Sequence, residues 1–209
     1  EDQIGEQLTN ACLVRNPFNV PPHVNLLWPA TDPHWRLACV ARLDPVAKGQ
    51  DILLRLLAAE KWRGRNLKVR FYGTGRCERN IRRLADRLAL TNVEFLGHVS
   101  DVEQIWADNH ALVLPSRYEG TPLALVEAMF CARPCIVTDV AGNPELVEHG
   151  ITGFVACGAS IHLLDRALEE AWQRRDEWQR MGVTARERIA SLVPPDPVRQ
   201  FCERLIRVR

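Results

Sequence analysis

From Leu37 onward, short apolar runs alternate with longer stretches in which apolar residues return every three or four positions. A short apolar run bounded by turn residues reads as a strand buried on both faces, and the 3.6-residue period reads as amphipathic helix. The pattern predicts strands over Leu37–Ala41, Lys68–Tyr72, Val93–Leu96, Ala111–Leu114, Cys135–Thr138 and, near the end, Gly153–Ala156. Between them it predicts helices over Gly49–Trp62, Cys77–Leu90, Asp101–Asn109 and Pro122–Cys131, with a short one near Pro144–Glu148. Strands alternating with helices predict an α/β domain: a Rossmann-like, doubly wound parallel sheet of about six strands joined by right-handed crossovers.

From Ser160 the pattern is helical only, first through Ile161, Leu164, Leu168, Ala171 and Trp172, then through Trp178, Met181 and Ile189. Pro194, Pro195 and Pro197 break it before a last amphipathic helix on Val198, Phe201, Cys202 and Leu205. At the other end, five prolines between Pro17 and Pro33 and no sustained period predict a linker or an extended surface segment. Before it, Glu1–Leu8 reads as a helix fragment and Ala11–Val14 as a short strand. The predicted organisation is residues 1–35 as linker and remnant of a preceding domain, 36–193 as the α/β domain and 194–209 as a C-terminal helix.

With 209 residues the chain can bury one substantial α/β core but not two Rossmann-like domains. Its 27 basic and 26 acidic residues leave a net charge of +1, which gives no bulk reason to expect nucleic acid as a partner. No apolar run is long enough to span a membrane, which leaves peripheral association open. The seven cysteines are odd in number and form no C-x-x-C pair, which argues for free thiols in a reducing cytoplasm against a disulfide framework or a zinc cluster.

The chemistry concentrates around Ala111–Met129, where a buried strand breaks at Pro115 into a glycine-containing loop and then a helix. Thr121 suits the cap of that helix and Pro122 its first position, so the free N–H groups at the helix start face the carboxyl edge of the sheet, where an anion belongs. Glu119 and Glu127 bracket this start, and at about 100° per residue Glu127 falls beside Leu123 and Phe130 on the apolar side. A carboxylate placed there needs donors, and the vicinal hydroxyls of a ribose would supply them. Arg42 and Lys48 follow the first strand and put two cations on the same edge, either as solvated surface charges or as the pair that a diphosphate requires. Gly73-Thr74-Gly75 follows the second strand, but a third glycine would fall at Glu78, so the dinucleotide fingerprint fails and a hydride-transferring enzyme is not indicated. These glycines serve either a tight turn or the close approach of a ligand.

The stretch Glu119-Gly120-Thr121-Pro122-Leu123-Ala124-Leu125-Val126-Glu127 resembles the E-x7-E signature of glycosyltransferase family 4, and Arg42 to Gly49 is similar to that family's R-x5-KG pattern. The resemblance runs from about Asn16 to Phe154. It implies the C-terminal, donor-binding half of an enzyme with the GT-B fold, two facing Rossmann-like domains. The implied reaction moves a hexose from a UDP- or GDP-sugar to an acceptor hydroxyl with retention of configuration, without metal or other cofactor, and with the acceptor domain missing from this chain. In family terms Arg42, Lys48 and Glu119 do the catalytic work. The donor is held by Gly73, Gly75, Val99 in the backbone after Phe95-Leu96-Gly97, Gly120, Thr121, Pro122, Leu123 and, at the ribose, Glu127. The alternatives are another GT-B enzyme, a nucleotide-sugar epimerase or a phosphorylase, or a nucleotide-binding module without chemistry.

Overall fold

The computed structural model describes residues 16–21, 24–30 and 33–207, so the helix fragment and strand predicted before Arg15 lie outside the described residues. All six predicted strands are present: β1 (Trp35–Val40), β2 (Leu67–Tyr72), β3 (Val93–Gly97), β4 (Ala111–Leu114), β5 (Cys135–Thr138) and β6 (Gly153–Ala156). They form one sheet in the order β3-β2-β1-β4-β5-β6, every pair parallel.

Alternate residues of each strand feed two cores, as the two-residue period requires. Leu37 and Cys39 of β1 face a core shared with Ile52, Leu56, Trp62, Ile81 and Leu168. Ala38 faces the other, with Ile105, Leu125, Met129 and Ile189. The helices are α1 (Pro45–Lys48), α2 (Gln50–Leu57), α3 (Glu60–Arg63), α4 (Glu78–Arg87), α5 (Val102–Asp108), α6 (Leu123–Phe130), α7 (Asn143–Leu146), α8 (Ile161–Gln173), α9 (Trp178–Leu192) and α10 (Pro197–Arg207). A 3-10 turn at Arg175–Glu177 separates α8 from α9. The helix α10 leaves Val198, Phe201, Leu205 and Ile206 exposed.

Three expectations shift. The helix predicted over Gly49–Trp62 is split into α2 and α3, and a short helix that was not predicted, α1, precedes it. Gly49, in the left-handed region at φ 64°, separates α1 from α2, and Ala59, in an extended conformation, separates α2 from α3. The second break lets Trp62 turn fully into the core, where its indole N–H donates to Asp165 at 2.7 Å. No glycine or proline stands between Gln50 and Arg63 to impose this second break, so packing decides it. The helix predicted to start at Pro122 begins one residue later, with Pro122 and not Thr121 at the cap.

The proline-rich segment, third, is a packed strap. Phe18 stacks on Phe130 at 4.8 Å, and Val20 and Val24 are buried in the second core. The strap is also tied to the amino edge of the sheet. The fully buried Arg133 donates to the carbonyls of Trp106 and Asn109 at the end of α5, of Cys131 at the end of α6, and of Leu27 in the strap. Carbonyls at helix C-termini carry partial negative charge, so this cation is held without a carboxylate, although burial lowers its pKa to about 10. Of the described cysteines, all free, Cys39, Cys131 and Cys135 are buried whereas Cys157 and Cys202 are exposed.

Candidate functional site

In a sheet of this order the chain winds one way from β1 to β3 and the other way from β4 to β6, so the connections after β1 and β4 leave in opposite directions. A crevice opens there at the carboxyl edge, the place where open α/β sheets bind ligands. The ladder reflects it. β1 pairs with β2 over six positions but with β4 only at Leu37↔Ala111 and Ala38↔Leu112, so the carboxyl ends of β1 and β4 run on without pairing to each other.

Two of the predicted residues meet across that crevice. Lys48 Nζ, at the end of α1, donates to Glu119 Oε2 at 2.6 Å, and the Ser116 hydroxyl donates to Glu119 Oε1 at 2.7 Å. The Glu119 side chain is 5% exposed and the Lys48 side chain 23%, so the acid is the more deeply held partner. Gly49 is what permits the meeting. A Cβ on it would lie 1.9 Å from the Pro115 carbonyl oxygen, and its positive φ suits only glycine. The backbone N–H groups of Arg117 and Tyr118 both donate to the Ala47 carbonyl, and the Arg117 guanidinium grips Asp51 with two bonds of 2.7 and 3.0 Å. Beneath the pair lies Cys39, its thiol pushed up to about 12 by burial first and by the charge of Glu119 second, and therefore neutral. From Ser116 a buried chain of polar groups runs on: Thr138 donates to the Ser116 carbonyl at 2.6 Å and Asn143 to the Thr138 carbonyl at 3.1 Å.

The start of α6 closes one side. Leu125 and Val126 donate back to the Pro122 carbonyl, and the N–H groups of Leu123 and Ala124 come before those bonds at the positive end of the helix. Gly120 and Leu123 are exposed there, Thr121 and Pro122 half-buried, and Gly142 donates to the Gly120 carbonyl from the loop after β5. Glu127, one turn along, is 4% exposed, as its position on the apolar side of α6 requires. Donors do reach it, and they come from the strap: the backbone N–H and the side-chain amide of Asn19 both donate to Glu127 Oε1, at 3.1 and 2.9 Å. Burial raises the pKa of Glu127, and the two Asn19 bonds work against that rise.

The remaining predicted residues occupy the β1–β2 side. Arg42 does not join Lys48 and Glu119. Its guanidinium pairs with Asp44 at 2.9 Å on the exposed wall of a cleft of about 400 Å³, lined also by Leu43, Arg76 and Cys77. Gln50 donates to the Arg42 carbonyl at 2.8 Å and so fixes its backbone. Gly73 and Gly75 are needed for close approach, but by the chain itself: a Cβ on Gly73 would lie 2.3 Å from the Ala41 carbonyl oxygen, and one on Gly75 2.4 Å from that of Leu43. These glycines set the loop carrying Arg42 against the loop after β2. Val99 is half-buried beside the second core, after a β3 whose Gly97 carbonyl accepts from Gly73 at 2.6 Å. Residues that sequence reasoning missed are Ser116, Arg117, Asp51, Arg76 and Asn19. The hydroxyl of Ser116, directly after the strand-ending proline, was a readable signal. The Arg117–Asp51 contact, 66 residues apart, had none.

The chain matches known proteins in sequence and in fold. A family model described as "Glycosyl transferases group 1" matches residues 35–174, a span that takes in β1 to β6 and both halves of the crevice. The chain belongs to that family. Among its relatives, N-acetyl-alpha-D-glucosaminyl L-malate synthase of Bacillus anthracis is 36% identical over 98 residues, 46% of this chain and 26% of the relative. A GDP-mannose-dependent alpha-(1-6)-phosphatidylinositol monomannoside mannosyltransferase of Mycobacterium tuberculosis is 30% identical over 165 residues, 74% of this chain and 43% of the relative. The chain thus spans 26% of the first of these relatives and 43% of the second, less than half of each. In fold it resembles Anabaena Alr3699/HepE in complex with UDP-glucose, with a TM-score of 0.79 at 22% identity over 98% of this chain and 59% of that one. The apo form of the lipopolysaccharide outer core galactosyltransferase WaaB gives the same TM-score at 21% identity, over 98% of this chain and 58% of that one. The group 1 chain is accordingly a Rossmann-like glycosyltransferase unit, and no helix among its described residues is long and apolar enough to cross a membrane.

Proposed function

We propose that this chain is the donor-binding half of a retaining GT-B glycosyltransferase of family 4, transferring a hexose from a UDP- or GDP-sugar to an acceptor hydroxyl supplied by a second domain. The observation that carries the reading is the Lys48–Glu119 contact of 2.6 Å across the crevice between β1 and β4. It sets a cation and a carboxylate together in the crevice, with Glu119 in the loop that leads into α6. A relative that uses GDP-mannose and a fold neighbour that holds UDP-glucose support a nucleotide sugar as the ligand.

The diphosphate sits between Lys48 and the start of α6, and Arg42, held by Asp44 on the neighbouring wall, has to leave that pair and turn in to reach it. When the bond from the anomeric carbon to the diphosphate oxygen breaks, negative charge grows on the leaving oxygen, and Lys48 and the start of α6, already on that edge, stabilise the charge. They take over the electrostatic work that a metal ion does elsewhere. Glu119 plays two parts, holding Lys48 in place and offering its oxygens to hydroxyls of the donor sugar. Glu127 accepts from the ribose one turn further along α6.

Product analysis with radiolabelled UDP- and GDP-hexoses tests the reaction, with this chain joined to an acceptor domain. The expected product is a glycosylated acceptor of unchanged anomeric configuration. Release of an epimerised sugar or a sugar 1-phosphate in its place would point to the epimerase or phosphorylase alternative and overturn the reading.

A further inference from the structure

The strap contact to Glu127 has no part in the electrostatics of the diphosphate, yet it is specific. Phe18, Asn19 and Val20 are consecutive and each is used. Phe18 stacks on Phe130, Val20 is buried in the second core, and Asn19 gives both of its donors to one oxygen of Glu127. Phe130 lies three residues after Glu127, so the strap grips a single face of α6. A nearly buried carboxylate without such donors would bear its desolvation alone and turn freely about its last torsion, which is broad for glutamate. With Oε1 tied twice to Asn19, the plane of the carboxylate is set and Oε2 is the oxygen left for a ligand.

We propose that Asn19 is a positioning residue for the donor: by holding Glu127 through Oε1 it directs Oε2 at the ribose hydroxyls, and so couples the strap that precedes the sheet to nucleotide selectivity. The proposal rests on the donor-site reading above, with Glu127 at the ribose.

Asn19 is itself exposed, so Asn19→Ala should fold; it removes the side-chain bond and keeps the backbone one. Calorimetry on the 209-residue chain uses UDP and 2′-deoxy-UDP, and the guanosine pair if GDP binds more tightly. The wild type is expected to favour the ribose form by about ten-fold, the worth of one bond to a charged group. In Asn19→Ala the preference should fall to about three-fold or less, with affinity for the deoxy form nearly unchanged. Asn19→Asp, which sets a second carboxylate against Glu127, should reduce the preference at least as far. Adding either change to Glu127→Gln should cost nothing more, because all delete the same contact. Equal weakening of both nucleotides by Asn19→Ala would make the residue merely structural and overturn the proposal. So would an intact preference in both Asn19 variants while Glu127→Gln abolishes it, and then the donor site would stand without Asn19. If the wild type binds neither nucleotide, the donor-site reading fails and this proposal with it.

Discussion

The Lys48–Glu119 pair is unequal, and removing one partner should not equal removing the other. The Glu119 side chain is almost entirely buried, so Lys48→Ala leaves a carboxylate whose remaining donor among the described residues is the Ser116 hydroxyl. Breaking a buried pair from that side costs about 3 kcal/mol, at the low end for such pairs because Lys48 is partly in water. Glu119→Gln leaves an ammonium that is 23% exposed and can turn to solvent, at a cost of about 1 kcal/mol. For a domain of this size the Tm should drop by about 8 °C in the first variant and about 3 °C in the second. Affinity for a nucleoside diphosphate should move in opposite directions. Lys48→Ala loses a charge-assisted bond and weakens binding about ten-fold, whereas Glu119→Gln removes the anion that competes for Lys48 and should strengthen binding about two-fold. Thermal unfolding and calorimetry on the same preparations read both quantities. If Glu119→Gln weakens the diphosphate as much as Lys48→Ala does, the lysine is not shared between carboxylate and ligand and the electrostatic reasoning is wrong.

Gly49→Ala should destabilise the fold by about 3 kcal/mol, combining the left-handed penalty with the clash against Pro115, and should abolish nucleotide binding by parting the loops; a Tm near that of the wild type contradicts this. The buried His110 accepts from the Arg36 N–H, and burial, followed by the charge of Arg36, lowers its pKa from 6.5 to about 4. The unfolded chain therefore takes up this proton first as pH falls through 6.5, so stability held above that pH is lost progressively down to about pH 4, by up to about 3 kcal/mol. Denaturant titrations of the wild type and His110→Gln across this range should show the variant with the flatter profile, and parallel profiles would remove His110 as the cause.

The sheet was legible because both faces of its strands are buried. Runs such as Ala111–Leu114 and Cys135–Thr138 carry no polar residue except the last threonine, and each was placed to within two residues. The convergence of Lys48 and Glu119 was legible for a related reason, since a parallel sheet brings the residues after each strand to one edge. What escaped is what depends on side-chain packing across long sequence separations. Nothing local breaks the helix after Leu57; the anchoring of Trp62 on Asp165 does. Proline density marked 17–33 as non-helical but gave no sign that Phe18, Val20 and Val24 are core residues, because isolated apolar residues among prolines have no period to read. The helical period puts Glu127 on the apolar side and in need of donors, but it gives no sign of Asn19, which supplies them from 108 residues away. The glycines at 73 and 75 invited a ligand, and the backbone that approaches them belongs to the chain.

The most direct test of a donor site at the crevice between β1 and β4 is a titration of the isotope-labelled chain with UDP and with GDP, followed through its backbone amide resonances. Saturable shifts should concentrate on the loops after β1 and β4 and at the start of α6, with Lys48, Gly49, Glu119 and Leu123 moving together at one common affinity that weakens with salt. Shifts confined to the amino edge around Arg36, His110 and Arg133, or to α10, or no saturable shift with either nucleotide, would contradict it.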